Sequence, residues 1–303
     1  MEFEVVAEGL RFPEAPVVMA DGSVIVVEIE RKTVTRCWAG GKTEVIAEPG
    51  GGPNGLAIGP DGALYCCNNG GFLYHDMDGL LVPGHCPDDY SGGRIERIDI
   101  ATGKVDRLYE EADGIDLRGP NDIVFDKAGN FYFTDLGKTY SRQRDNGGLF
   151  FGKPDGSLVK CLDYPHISPN GVGLSPDEKQ VYFADTMTAR LWAFDIAAPG
   201  ELEPIAPPFA KGRVVAGMPE LRYFDSLAVA ASGNVCVATI SMGGITTIQP
   251  DGAHSHIALP DPFVTNIAFG GEDMHDAYIT LSGTGKLIKC RWPEAGLKLN
   301  FNA

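Results

Sequence analysis

Long apolar runs are missing from this sequence, and none approaches the roughly 20 residues that a membrane-spanning helix needs. No membrane partner is therefore expected. Paired cysteines are missing too: the seven thiols (Cys37, Cys66, Cys67, Cys86, Cys161, Cys236 and Cys290) are odd in number, scattered and without a CxxC pair, which indicates neither a disulfide framework nor a zinc cage. Cys66, Cys236 and Cys290 fall within apolar strand patterns, where a thiol usually serves as a small core residue. Residues 1–10 alternate acidic and apolar side chains and lack the basic start and continuous apolar stretch of a signal peptide, so a reducing cytoplasm is the expected location. Positive charge is scarce: 25 Lys and Arg face 41 Asp and Glu, a formal charge of −16 that repels polyphosphate within the screening length. Nucleic acid is not an expected partner. Helical periodicity is scarce, and low-complexity segments and linkers are absent.

What remains is an ordinary globular composition, 44 % hydrophobic and 22 % charged, over 303 residues. One closed β architecture can reach that length without a second core, so residues 1–303 are expected to form one domain. One pattern recurs six times: a polar residue, an apolar stretch, a turn with Gly, then a β-rich run. The first copies read Pro13-Glu14-Ala15-Pro16 with Asp21-Gly22, and Pro53-Asn54-Gly55-Leu56 with Asp61-Gly62. The next are Pro120-Asn121-Asp122-Ile123 and Pro169-Asn170-Gly171-Val172. Looser copies open on Phe224-Asp225-Ser226-Leu227 and Thr265-Asn266-Ile267-Ala268. The polar positions 14, 54, 121, 170, 225 and 266 are 40, 67, 49, 55 and 41 residues apart, the spacing of four-strand blades with loops of unequal size. Outer hairpins are expected at 33–38 with 41–46, 93–98 with 104–109, 148–152 with 158–162 and 244–249 with 254–259. The leading strand, 2–8, is expected to complete the last blade, whose own strands end near Trp292. The reading is a six-bladed β-propeller. Closing the ring removes the exposed sheet edges that would make a linear row of hairpins aggregate, consistent with a monomer or weak homo-oligomer.

In a propeller the innermost strands meet at a central channel, so the six opening residues become neighbours. Glu14, Asn54, Asn121, Asn170, Asp225 and Asn266 all bear oxygen, the donor set that hard cations take. Two carboxylates facing each other without a cation would raise one another's pKa, which makes a bound divalent ion the economical explanation. Pro-Asn-Gly is also a common turn signal, and Asn54 and Asn266 read as turn or supporting residues. Glu14, between Pro13 and Pro16, is a poor turn residue, and it is read with Asp225 and Asn170 as a metal ligand.

These motifs, ordered along essentially the whole chain, resemble the SMP-30/gluconolactonase/LRE-like family of six-bladed propellers. The resemblance rests on Glu8-Gly9 with Phe12-Pro13-Glu14-Ala15-Pro16, on Gly119-Pro120-Asn121-Asp122-Ile123-Val124 followed by Gly129 to Asp135, on Ser168-Pro169-Asn170-Gly171, and on Thr265 to Gly271. It implies a tunnel metal held by Glu14, Asn170 and Asp225, with Asp225 also the general base and Asn121 a fourth ligand or a substrate contact. The Pro-Asn-Asp and Phe-Thr-Asp pattern is similar to the bacterial gluconolactonase branch, which implies hydrolysis of a sugar lactone of the gluconolactone or aldonolactone type. Animal relatives place a substrate-contacting Arg two positions before the tunnel Asn; here Gly119 stands there and Arg118 is one step off. Calcium comes first among the candidate ions, and zinc, magnesium, manganese and ferrous iron also fit the donors.

Substrate choice is expected from loops over the channel mouth. The longest, 68–92, carries Asn69, Tyr74, His75, His85, Asp88 and Tyr90, and a second, 137–147, carries Tyr140, Arg142 and Arg144. Tyr74, His75, Arg118, Asn121 and Arg142 are the candidate substrate contacts, although solvated surface charge is the commoner role for such arginines. The six histidines are isolated in sequence, and none, His166 included, is assigned to the metal. Three alternatives stand: a metal-dependent phosphotriesterase or fluorophosphatase-like hydrolase, a non-catalytic metal-binding propeller, and, on fold analogy alone, a strictosidine-synthase-like condensation enzyme.

Overall fold

A computed structural model of the chain describes residues 1–205 and 212–302, and no helix occurs among them. The β-rich runs form strands, and the turns between them are built by the chemistry their sequence offers. Asp21 Oδ1 accepts from Ser23 N at 3.0 Å while Gly22, at φ 80°, lets its amide reach Met19 O at 2.9 Å. A residue with a Cβ would be strained there. The same turn recurs at Asp61-Gly62, where Asp61 Oδ1 accepts from Ala63 N at 3.2 Å.

Six antiparallel sheets of four or five strands result among the described residues, each a blade that starts at the channel. Blade one runs Pro13–Val18, Val24–Glu28, Thr33–Cys37, Thr43–Ala47, and blade two runs Pro53–Ile58, Leu64–Asn68, Arg94–Ile98, Val105–Tyr109. Blade three is Pro120–Phe125, Phe131–Asp135, Gly147–Gly152, Val159–His166. Blade four is Pro169–Leu174, Gln180–Asp185, Arg190–Ala198 and Arg213–Gly217, with Glu201–Leu202 added beside Arg190–Ala198. Blade five is Tyr223–Val229, Val235–Ile240, Gly244–Ile248, His254–Ala258. Blade six is Val264–Gly270, Asp276–Leu281, Lys286–Arg291 and then Glu4–Glu8 from the other end of the chain.

That last pairing closes the ring as the sequence implied, with Glu4 opposite Lys289 and Glu8 opposite Lys286. Leu10 N continues it to Gly285 O at 3.0 Å. Val6, Ala7 and Leu10 are buried against Val24, Tyr278 and Leu287. Elsewhere the core lies between blades: Phe125, Phe131, Phe133 and Phe150 join blades two and three, with Phe133 and Phe150 stacked at 5.1 Å. Each such ring buried contributes about 1.5–3 kcal/mol. The 68–92 loop contains its own hairpin, Tyr74–Met77 with Leu80–Pro83. No helix of the described residues is long and apolar enough to cross a membrane.

Candidate functional site

Every inner strand breaks register with its neighbour at the height of the ring. The slips fall between Glu14 and Val17, Pro53 and Leu56, Pro120 and Ile123, Pro169 and Val172, Phe224 and Leu227, and Val264 and Asn266. A bulge bends the strand and re-aims a side chain that would otherwise lie between blades. At Glu14 the backbone goes further: Phe12 and Ala15 sit at φ 56° and 48°, conformations that cost on the order of 1–3 kcal/mol each. The glycines of the two Pro-Asn-Gly copies are set by crowding, not by a turn. A Cβ on Gly55 would lie 2.5 Å from Asn121 O, and one on Gly171 would lie 2.4 Å from Leu227 N.

Glu14, Asn54, Asn121, Asn170, Asp225 and Asn266 are thereby gathered and buried, each between 3 % and 8 % exposed. Glu14 Oε2 accepts from Asn266 Nδ2 at 2.7 Å and from Ala15 N at 2.6 Å. Asn170 is oriented by Thr186 Oγ1, 3.1 Å from its Nδ2, and by Ser226 Oγ, 3.4 Å from its Oδ1. Burial pushes Glu14 up to about 7 against the opposing hydrogen bonds of Asn266, Thr265 and Ala15. Asp225 is held well above the usual carboxylate range, first by burial and then by the charge of Glu14. No ion pair among the described residues reaches either carboxylate. The Oδ1 of Asn121 is buried without a protein hydrogen-bond partner.

This donor set fits a divalent cation. Two repelling carboxylates and an unsatisfied amide oxygen are what a hard ion would neutralise and satisfy. No group of three or more His, Cys, Asp or Glu among the described residues is placed to hold a metal, so an ion seated here would take amide oxygens beside Glu14 and Asp225.

A third carboxylate, Asp122, escaped the sequence reading. It is buried and pushed up to about 7, by burial first and then by Glu14. Its oxygens accept from Ile123 N at 2.9 Å and Val172 N at 3.1 Å, tying blade three to blade four beneath the ring. The signal was its place: Asp stands where the two neighbouring Pro-Asn copies have Gly. Below it, a cavity of about 720 Å³ occupies the channel, bordered above by Asp122 and Asn266 and below by Leu297 to Asn300.

Over the opposite mouth lies the 68–92 segment. Tyr74 packs against Phe12 and Phe72 with ring centroids 5.3 and 6.4 Å away. Its hydroxyl oxygen is buried and makes no protein hydrogen bond. Burial keeps its proton well above the ordinary tyrosine range, with Glu30, Glu14 and Asp225 adding to the effect. Its neighbour His75 is exposed on the hairpin, and Arg142 is exposed on the 137–147 loop. The Arg118 guanidinium is engaged beside the mouth, 3.2 Å from Asp145 Oδ2, 3.0 Å from the Tyr140 hydroxyl and 5.5 Å from the Tyr90 ring centre. Arg144 is taken up by Ile167 O, Leu136 O and Thr139 Oγ1. His166 pairs with Asp163 at 2.9 Å among Phe183, Trp192 and Phe194, away from the ring. Lys138, unremarked in the sequence, is fully buried beneath the cover, and burial pushes its ammonium down to about 7 while Cys86 and Asp135 oppose.

Comparison with known proteins agrees with this frame. Residues 12–283 match the SMP-30/Gluconolactonase/LRE-like region. A gluconolactonase of Zymomonas mobilis is 24 % identical over 277 residues, covering 82 % of this chain and 70 % of that protein. A 6-deoxy-6-sulfogluconolactonase of Pseudomonas putida is 28 % identical over 196 residues, 63 % of this chain and 64 % of that one. Among solved structures, a gluconolactonase from Xanthomonas campestris superposes with a TM-score of 0.74 at 20 % identity, over 96 % of this chain and 89 % of that chain. Such a superposition speaks for the fold alone; the family match spans nearly all six blades, and the chain belongs to the SMP-30/gluconolactonase/LRE-like family.

Proposed function

We propose that this chain hydrolyses the ester bond of a lactone, of the sugar-lactone type, with one divalent cation held by Glu14, Asn170 and Asp225. Asn121 serves as a fourth ligand or as a substrate contact. The observation that carries the reading is the pairing of two buried, mutually repelling carboxylates with no cationic side chain, beside the unpartnered Oδ1 of Asn121. Relatives named as lactonases point the same way. Calcium heads the candidate ions, with zinc, magnesium, manganese and ferrous iron behind it.

When bound, such an ion supplies Lewis acidity, polarising the lactone carbonyl and offsetting the negative charge that develops on its oxygen. The protein supplies the rest. Asp225 accepts a proton from water as the water oxygen bonds to the carbonyl carbon. The ring C–O bond then breaks, the proton held by Asp225 passes to the leaving alkoxide oxygen, and the open hydroxy acid forms with Asp225 restored. Asn266 and Thr265 hold Glu14 in place through hydrogen bonds. Tyr74 offers its free hydroxyl to a substrate oxygen, and the rings of Phe12 and Phe72 limit water at the mouth.

The test is acid release, followed with a pH indicator, by chelated and then metal-restored protein on aldonolactones, simple γ- and δ-lactones and one phosphotriester. Turnover of a sugar lactone only after metal is restored supports the reading. Turnover of the phosphotriester alone moves the chemistry to phosphorus, and no turnover with any ion leaves a binding propeller.

A further inference from the structure

Lys138 is an expensive residue to bury. Its side chain is wholly inaccessible, and no ion pair among the described residues includes it. An ammonium taken from water costs several kcal/mol, and an apolar residue of similar length would fill the same space without that cost. Direction is what the Nζ donors add. Nζ donates to Gly71 O at 2.5 Å and to Asn69 Oδ1 at 3.2 Å, and it lies 4.0 Å from the ring centre of Phe72 and 5.4 Å from that of Tyr90. These four partners belong to the two ends of the 68–92 cover, whereas Lys138 comes from the loop that follows Phe131–Asp135 in the next blade. The cover is thus pinned across a blade boundary, by two carbonyl-type acceptors and two ring faces.

The pinned residues lead to the mouth. Phe72 packs edge-on against Tyr74, Tyr74 packs on Phe12, and Phe12 opens the strained turn that presents Glu14. At the end of this chain the Tyr74 hydroxyl is buried and unpartnered, and its ring rests on Phe12, two residues before Glu14.

We infer that Lys138 is a positioning residue: through Gly71 and Phe72 it fixes the Tyr74 hydroxyl beside the Phe12 turn that presents Glu14, where that hydroxyl hydrogen-bonds the substrate. The substrate half of this inference rests on the lactonase reading above. It is tested with Lys138→Met, which keeps the stem and removes the donors and charge, with Tyr74→Phe, and with the double variant. Each is assayed on the best lactone. In parallel, 19F spectra of 3-fluorotyrosine-labelled protein are recorded, the Tyr74 signal being assigned by its loss in Tyr74→Phe.

Each single variant is expected to lower kcat/KM about tenfold, the scale of one hydrogen bond, and the double variant no further than Tyr74→Phe alone. The Tyr74 signal is expected to move in Lys138→Met while the signals of Tyr65 and Tyr132, buried in other clusters, stay in place. A Tyr74 signal that does not move, or a double variant whose loss is the product of the two single losses, overturns the inference. If Lys138→Met does not fold, Phe72→Leu interrupts the same chain from the cover side, with the same signal movement and non-additivity expected. Absence of lactone turnover by the wild-type protein overturns the hydrolase reading instead, and the fluorine signal then decides the placement of Tyr74 by Lys138 on its own.

Discussion

The clearest quantitative consequence of the ring is the way metal-free protein responds to pH. Glu14 is raised from 4.5 to about 7 and Asp122 from 3.8 to about 7, while Asp225 moves in the same direction. A carboxyl whose folded pKa lies above its unfolded value binds more protons in the native state between the two. Its stabilisation is therefore complete below the unfolded pKa and is lost as pH rises through the folded one. For Glu14 the shift corresponds to on the order of 3 kcal/mol between pH 4.5 and 8. At this chain length 1 kcal/mol moves Tm by roughly 1.5 °C, so chelated protein is expected to lose about 5 °C from Glu14 alone over that range, with Asp122 and Asp225 adding to it. Glu14→Gln removes its share and serves as the control for every other titrating group. A saturating divalent cation competes with the proton, so its stabilisation is expected to grow as pH rises and to flatten the profile. Scanning calorimetry of chelated and cation-loaded protein from pH 5 to 8 reads both effects. Equal pH slopes in the wild type and Glu14→Gln, or a cation effect as large at pH 5 as at pH 8, would refute the account of the ring.

Asp225→Asn is expected to lower lactone turnover by about 10²–10⁴-fold with the fold retained, read by steady-state kinetics beside far-UV circular dichroism. Gly171→Ala drives a methyl group into the backbone at Leu227 N, two residues from Asp225, so cation affinity measured by titration calorimetry is expected to fall about 10–100-fold. Val6→Asp buries a charge in the strand that closes blade six, and urea denaturation is expected to show a loss of at least about 3 kcal/mol; a change below about 0.5 kcal/mol would mean that the closing strand is dispensable.

The repeats were legible because the same local device opens each blade. Their meaning was less so. Pro-Asn-Gly has the composition of a turn, yet Pro53–Ile58 and Pro169–Leu174 are strands, and the glycine is there because an adjacent inner strand leaves no room for a Cβ. The four outer hairpins that were expected and the closing strand matched their places, since alternation and glycine turns marked them. The outer strands of blade four were not marked, because the stretch between Arg190–Ala198 and Arg213–Gly217 is rich in proline and erases the hairpin pattern. Tyr74 and His75 illustrate the limit within a loop. They are adjacent on one short strand, so they point to opposite faces, and only the packing of Phe12 and Phe72 decides which of them is turned inward. Asp122 and Lys138 owe their burial to residues from other blades, which no local pattern contains.

The six register slips separate what holds the ring from what fills it. Direction toward the axis comes from the main chain, repeated at one height around the molecule, whereas the chemical character of each position resides in a side chain that the sheets do not need for their own pairing. An exchange of amide for carboxylate at Asn121 or Asn170 would change the charge of the ring's lining without touching the strand pairing of the blades. The propeller behaves as a socket whose frame is separate from its lining, and descent from one such socket can yield different chemistries through few substitutions.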